Sequence, residues 1–182
     1  MEECELIYQV LSGFKCGEIL LAESSAQKES IKKLRSKIGE AVKSNSVYKE
    51  EDTVVPRAEL PKLLKGIKEI GKKYHFQTIC YGHAGDGNLH VNIIKGDMPD
   101  HDWNFIIKDG IREIFRLCVN LGGTISGEHG IGYTQKEYLH IALSEKNIEL
   151  MKGIKKLFDP NLILNPGKIF TDLNISKYLP RI

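Results

Sequence analysis

The sequence predicts an α+β fold, with helices on one face of an antiparallel sheet and a helical segment at the C-terminal end. Amphipathic segments with helical spacing alternate with short apolar runs along the chain. Two consecutive apolar runs are joined by Asp86-Gly87, a dipeptide typical of tight hairpin turns. The 182 residues suit one compact domain and are too few for a dinucleotide-binding domain plus a full substrate domain.

Composition excludes several classes of protein. With 26 basic and 24 acidic residues, the net charge of +2 gives no electrostatic reason to expect a nucleic-acid partner. The acidic start of the chain is unlike a signal peptide, and no apolar run approaches the roughly 20 residues that span a bilayer. The four cysteines form no C-x-x-C pair, so we expect free thiols in a reducing, cytoplasmic compartment.

The N-terminal part is predicted to contain two helices and a strand. Residues 1–12 have apolar side chains at near-helical spacing and predict a short amphipathic helix. Glu18–Ala22 is a short apolar run that predicts a strand. Ser24 and Ser25 offer an N-cap for a long helix that ends near Lys43.

The middle of the chain changes from helical spacing to a period of two. The polar stretch Ser44–Asp52 predicts a loop, and Val54–Pro56 predicts a short extended piece. Leu60–Tyr74 predicts a basic amphipathic helix. Phe76–His83 and Leu89–Ile94 predict the two strands of the hairpin.

The C-terminal part returns to helical spacing. Asp102–Leu121 predicts a long amphipathic helix that ends at Gly122-Gly123. After a glycine-rich segment, Gln135–His140 and Glu145–Phe158 predict two more helices, and the second ends before a proline. The remaining residues are predicted to form a loop.

The hairpin carries the first candidate site. If Asp86 and Gly87 are the two central turn residues, His83 lies directly opposite His90, with Cβ atoms about 4.5–5.5 Å apart. Two imidazoles at that distance can converge on one metal ion. Asn92 is two residues further along and points to the same side of the sheet. A different turn register would shift one histidine to the other face of the sheet and weaken this inference.

The second candidate site is the run GGTISGEHGIG, in which glycine is too frequent for a regular helix or strand. No Gly-Lys-Ser/Thr follows it, so it is not a phosphate-binding loop, and it makes a weak dinucleotide motif. Glu128 could join His83 and His90 as a set of two imidazoles and one carboxylate with an open coordination position. His129 would then serve as a general base or substrate contact. The alternative is a structural turn that exposes both side chains.

Three motifs of the chain resemble the C-terminal domain of FAD-linked oxidases, the family of D-lactate dehydrogenase, D-2-hydroxyglutarate dehydrogenase and the glycolate oxidase D subunit. They are GHAGDGNLHVNI, GGTISGEHGIG and DPNLILNPGKIF, in the family's order and spacing. The resemblance implies a ferredoxin-like cap domain that covers a flavin and binds a small 2-hydroxy acid. It also implies that this chain begins part-way into the cap and lacks the FAD-binding domain, so that a partner domain or subunit holds FAD.

The resemblance further implies a metal centre. His83, His90 and Glu128 match the residues that hold a divalent ion, commonly zinc, in the metal-dependent members. His129 matches the residue that acts as base or substrate contact. With a flavin partner, the chain would help to oxidise a 2-hydroxy acid to a 2-keto acid; alone, the fragment is expected to be inactive.

The remaining implied roles concern substrate and flavin. Arg35 matches an arginine that pairs with the substrate carboxylate, and Asn92 and Lys49 match further substrate contacts. Asn165 and Gly167 match a segment that returns toward the flavin domain.

Two other functions stay open at this stage. One is a stand-alone metal- or carboxylate-binding module without turnover, which a neighbouring gene for a flavin-binding half-protein would disfavour. The other is a metal-dependent hydrolase that uses the same ligands to activate water, which turnover of esters or amides without flavin would support. A cap without its flavin domain would also expose apolar surface, so a homo-oligomer is a further possibility.

Overall fold

The computed structural model describes residues 2–44, 46–171 and 173. The chain divides into two compact units, residues 1–44 and residues 45–182. In the described part of the chain, no helix is both long and apolar enough to cross a membrane.

The first unit contains three helices, α1 (Glu2–Ser12), α2 (Ser25–Ser36) and α3 (Ile38–Ser44). The first predicted helix is confirmed, and Ser24 caps α2 in a reciprocal capping box with Gln27. The predicted long helix to Lys43 is instead divided at Lys37. Gly39, two residues further on, has a low helix propensity and weakens the continuation.

The predicted strand Glu18–Ala22 is wrong, because residues 18–22 adopt no regular structure. Leu20 and Leu21 are exposed to solvent rather than packed. A strand needs a neighbouring strand for its backbone hydrogen bonds, and the described residues of this unit provide none. Apolar composition alone was therefore a poor indicator here.

The second unit contains three strands and five helices within its described residues. They are β1 (Tyr48–Val54), α4 (Leu60–Lys73), β2 (Gln77–His83), β3 (Asn88–Ile94), α5 (Asp100–Asn104), α6 (Ile106–Asn120), α7 (Leu139–Ala142) and α8 (Glu145–Phe158). The strands form one antiparallel sheet in the order β1-β3-β2. The succession β1–α4–β2–β3–α6 corresponds to the first five elements of a ferredoxin-like β-α-β-β-α-β fold.

β1 corrects the predicted loop over Ser44–Asp52. All seven residues of the strand pair with β3, from Tyr48 opposite Ile94 to Val54 opposite Asn88. The acidic and basic side chains of this stretch are typical of loops, but pairing with β3, about 40 residues away, satisfies the backbone. Long-range pairing therefore overrides a local preference of about 1 kcal/mol per residue or less.

The hairpin between β2 and β3 has a different turn from the one predicted. His83 pairs with Asn88 and His90 pairs with Tyr81, so residues 84–87 form the connection. The prediction that His83 lies directly opposite His90 is therefore wrong. Because the pairing is shifted by two residues, an even number, both histidines still lie on the same face of the sheet.

Gly87 closes this turn against the chain that follows β1. Its φ is +75°, its carbonyl accepts the N–H of Val55, and a Cβ would lie 1.9 Å from the Val55 carbonyl oxygen. We expect Gly87→Ala to lower the free energy of unfolding in urea by about 2 kcal/mol or more. Gly85→Ala is the matched control in the same turn, because no described atom lies within 4 Å of its Cβ position. Equal losses in both variants would contradict this explanation.

The side chains of β3 alternate between two environments. Leu89, Val91 and Ile93 are buried in the core on the side of the helices. The buried core residues of α4 and α6 are Leu63, Ile67, Ile107, Ile111, Ile114, Phe115 and Cys118. The predicted α+β class, an antiparallel sheet with helices on one face, is therefore confirmed.

The helical predictions after the hairpin are correct in type but differ in detail. The predicted helix Asp102–Leu121 is divided at Phe105 into α5 and α6. The predicted helix Gln135–His140 is a short 3-10 turn followed by α7. α8 has the predicted bounds, and Ser144 caps it by accepting the Asn147 N–H. Of the predicted C-terminal loop, residues 172 and 174–182 lie outside the described residues.

Candidate functional site

Polar side chains from all three strands lie on the face of the sheet opposite the helices. Their positions follow from strand pairing, because side chains alternate between the two faces along each strand. The residues that share this face include His83 of β2, Asn88, His90 and Asn92 of β3, and Glu50 and Asp52 of β1.

The structure brings together the three predicted metal ligands. Nε2 of His90 lies 3.1 Å from Oε1 of Glu128, and Nε2 of His83 lies 3.9 Å from the same oxygen. The His90 side chain is 7% exposed, whereas those of His83 and Glu128 are 41% and 49% exposed. The group is therefore anchored in the sheet and open to solvent on one side, as a site that receives a ligand must be.

The donor set fits a divalent ion of intermediate softness. One ligand atom from each of His83, His90 and Glu128 lies within 4.8 Å of the other two. Two imidazoles and one carboxylate are a known ligand set of catalytic zinc, with a position left for water or substrate. The same donors accept other first-row ions, so they do not select zinc by themselves.

His129, the predicted base, lies beside this group. Its ring stacks on that of His90, with centroids 5.0 Å apart and planes inclined by 28°. Its Nε2 lies 3.8 Å from Oε1 of Glu128, and half of the side chain is exposed. A ligand held by the three predicted metal-binding residues is therefore within reach of this imidazole.

A buried carboxylate holds the loop that carries Glu128 and His129. Oδ2 of Asp52 accepts the backbone N–H groups of both residues, each at 2.8 Å, and Oδ1 accepts the Asn88 amide at 2.6 Å. Burial by itself favours the neutral acid, but these donors hold the pKa of Asp52 below its ordinary value of 3.8. The charged carboxylate therefore fixes the loop against the sheet at neutral pH.

Asn92 presents an unsatisfied amide on the same face. The residue is fully buried, and among the described residues neither its Oδ1 nor its Nδ2 has a hydrogen-bond partner. An unpaired buried amide is costly, so groups of this kind are normally completed by an ordered water or a ligand. Asn92 lies on the face of the sheet that carries the candidate site, and its predicted substrate contact stays a prediction.

Lys49 does not share the face of the site. It pairs with Ile93, whose side chain is in the core, so the register places Lys49 on the helix-facing side of β1. The predicted substrate contact of Lys49 is therefore not supported, because a strand alternates its side chains. The site-facing residues of β1 are Glu50 and Asp52, which the predicted loop concealed. Glu50 and Asp52 are two residues apart in the sequence, as are His90 and Asn92. This period of two was the sequence signal that could have predicted a strand here.

The other predicted residues lie on other elements of the chain. Arg35 lies on α2 in the first unit, so its predicted substrate contact stays a prediction. Asn165 and Gly167 follow α8 and have positive φ values of 48° and 70°. The Gly167 carbonyl accepts a hydrogen bond from Lys136 Nζ at 2.9 Å, which ties this segment to the 3-10 turn before α7.

Comparison with known proteins identifies relatives of similar sequence. The chain is 43% identical over 120 residues to the glycolate oxidase subunit GlcD of Bacillus subtilis, which covers 66% of this chain and 25% of that protein. It is 40% identical over 154 residues to a D-2-hydroxyglutarate dehydrogenase of Stutzerimonas stutzeri, covering 83% and 33%. It is 35% identical over 153 residues to a D-lactate dehydrogenase of Anaerostipes hadrus, covering 84% and 32%.

The chain thus spans between a quarter and a third of the length of these relatives. The family described as FAD linked oxidases, C-terminal domain, matches residues 1–169. The match includes both glycine-rich motifs and the residues that converge on the polar face of the sheet. The chain therefore belongs to the family of the C-terminal domain of FAD-linked oxidases.

Proposed function

We propose that this chain is the substrate- and metal-binding cap of a flavin-dependent 2-hydroxy acid dehydrogenase or oxidase, of glycolate or D-lactate type. The observation that carries the proposal is the convergence of His83, His90 and Glu128 on an open face of the sheet, beside His129. Membership of the FAD-linked oxidase family supports a flavin acceptor. The names of the three relatives point to 2-hydroxy acids as the substrate class.

The predicted ligands would hold the ion in unequal ways. His90 is fixed by its place in the central strand, whereas His83 and Glu128 come from the strand end and the loop. When bound, the divalent ion, for which we propose zinc, supplies Lewis-acid stabilisation of negative charge on the substrate oxygens. Asp52 accepts the backbone N–H of Glu128, so the loop that carries this carboxylate is held against the sheet.

Three further side chains are proposed to act on the substrate. His129 would accept the hydroxyl proton, as a half-exposed imidazole next to the ligand group. The unsatisfied amide of Asn92 would donate to and accept from the substrate's polar groups. Arg35 would pair with the substrate carboxylate, for which the planar guanidinium is suited.

FAD would be held by a separate domain or subunit, and it supplies the acceptor for the hydride that leaves Cα as the 2-keto acid forms. The surface of α8 supports such a partner, because Leu150, Leu157 and Phe158 are exposed. Asn165 and Gly167 follow this helix and are proposed to face the flavin.

The test of this proposal is metal binding by the purified chain. After incubation with zinc at neutral pH and removal of free metal, elemental analysis is expected to find about one ion per chain. Glu128→Gln and His83→Gln should lose the ion while keeping the fold, because both side chains are largely exposed. His140→Gln, an exposed histidine on α7, is the matched control and should retain it. A wild-type chain that binds neither zinc nor manganese would contradict the proposal.

A further inference from the structure

The two ring nitrogens of His90 face two different carboxylates. Nε2 lies 3.1 Å from Oε1 of Glu128, and Nδ1 lies 3.3 Å from Oε1 of Glu50. Nδ1 is buried and, within the described part of the chain, makes no hydrogen bond of good geometry. The side chain of Glu50 is 17% exposed, so the carboxylate beside this nitrogen is itself largely withdrawn from water.

His90 belongs to two possible groups of metal ligands. One group is His83, His90 and Glu128, and the other is Glu50, His90 and His129. A neutral imidazole has one nitrogen with a lone pair and one with a proton. One nitrogen of His90 can therefore bind an ion in one group only while the other nitrogen carries the proton, unless the ring loses both protons.

The burial of the carboxylates favours one assignment. Glu128 is half-exposed at the open side of the site, whereas Glu50 is fixed on the strand beside His90. A ligand carboxylate needs access to the ion and to substrate, whereas a hydrogen-bond acceptor needs only a fixed position against the ring. Histidine ligands almost always donate their second N–H in this way, often to a carboxylate.

We propose that Glu50 is a positioning residue for the metal ligand His90. Its carboxylate accepts the Nδ1–H of His90 and thereby turns Nε2 toward the ion held with His83 and Glu128. The proposal rests on the metal site in the proposed function. It gives a role to Glu50, which lies on the site-facing side of β1.

The first measurement is the zinc affinity of Glu50 variants, determined by competition with a chromophoric chelator. Glu50→Ala is expected to weaken zinc binding about 10–100-fold, the range observed for lost outer-shell partners. Glu50→Gln should weaken it less, because its amide oxygen still accepts the Nδ1–H. Glu149→Gln, on the exposed side of α8, is the matched control and should bind zinc as the wild type does.

The second measurement is the ¹⁵N chemical shifts of the His90 ring in the zinc-loaded wild-type protein. They should show the metal on Nε2 and a proton on Nδ1, the arrangement in which Nδ1 can donate to Glu50. This measurement needs no variant, so metal on Nδ1 would overturn the proposal even if Glu50→Ala does not fold.

Each outcome has a separate meaning. Metal on Nδ1 would overturn the role of Glu50 as acceptor and assign the ion to Glu50, His90 and His129. Unchanged zinc affinity in both Glu50 variants would overturn the positioning role but leave the proposed metal site intact. A wild-type chain that binds no zinc would overturn the proposed function, and the role of Glu50 with it.

Discussion

Asp52→Ala is expected to lower the free energy of unfolding by roughly 3 kcal/mol or more, because each buried donor left unsatisfied costs about 1–3 kcal/mol. The substitution leaves two backbone N–H groups, those of Glu128 and His129, and the Asn88 amide without their shared acceptor. Each of these donors is deprived of a charge-assisted bond. The loop that presents the proposed ligand and base would lose its attachment to β1, so zinc retention should fall as well.

Urea denaturation and elemental analysis of the same preparations check this prediction. Asp97→Ala, an exposed aspartate after β3, is the matched control and should stay within about 0.5 kcal/mol of wild type. Asp52→Asn should lie between the two, because it keeps the volume and one acceptor but loses the charge. A stable Asp52→Ala protein that still retains zinc would show that the loop is held by other contacts.

The pH dependence of the Asp52 contribution has a definite sign. Because the folded protein lowers its pKa, the contribution is present above the ordinary value of 3.8 and is lost as the pH falls through the lower, folded value. Acid should therefore release the loop at the same time as it removes stability. In the Asp52→Ala protein this part of the acid sensitivity should be absent.

Glu51→Gln is expected to stabilise the protein by about 3 kcal/mol above pH 7 and to change little below pH 4.5. Glu51 is buried on the helix-facing side of β1, and burial raises the pKa of its carboxyl from 4.5 to about 7, although Gln135 donates a hydrogen bond to it. The folded state therefore binds this proton more tightly than the unfolded state. The contribution of protonated Glu51 to the free energy of unfolding is fully present below pH 4.5 and is lost as the pH rises through 7.

The measurement is the difference in unfolding free energy between Glu51→Gln and wild type across this pH range. The difference cancels the pH-dependent contributions that the two proteins share. Glutamine keeps an oxygen that accepts from Gln135 but never carries the charge. Glu149→Gln is the control, and its free energy of unfolding should differ from that of wild type by a constant amount at every pH. The same constant difference for Glu51→Gln would show that Glu51 is ionised in the folded protein without penalty.

Adjacent residues of β1 thus have opposite electrostatic roles. Asp52 faces the site, where three donors stabilise its charge, and Glu51 faces the core, where burial destabilises its charge. The amino-acid types are similar, and both were assigned to a loop from their polarity. Which face each side chain occupies depends on pairing with β3, which lies about 40 residues further along the chain.

Much of the fold was predictable because it depends on local patterns. Helical spacing predicted α1, α4 and α8, and the hairpin followed from its apolar strands and glycine-rich turn. His83, His90 and Glu128 lie close together despite the incorrect turn, and their role as metal ligands stays a prediction. Their convergence requires only an even shift in register, which keeps both histidines on one face.

The sequence by itself therefore determined the α+β class and the family, and it predicted the candidate donor side chains, since these depend on residue identity and short-range spacing. Tertiary structure alone decided the existence of β1, the face of Lys49, and the contacts of Glu50 and Asp52. The physical reason is that a strand is stabilised by its neighbour rather than by its own residues. A polar run such as YKEED shows its strand structure, and its two faces, only when paired.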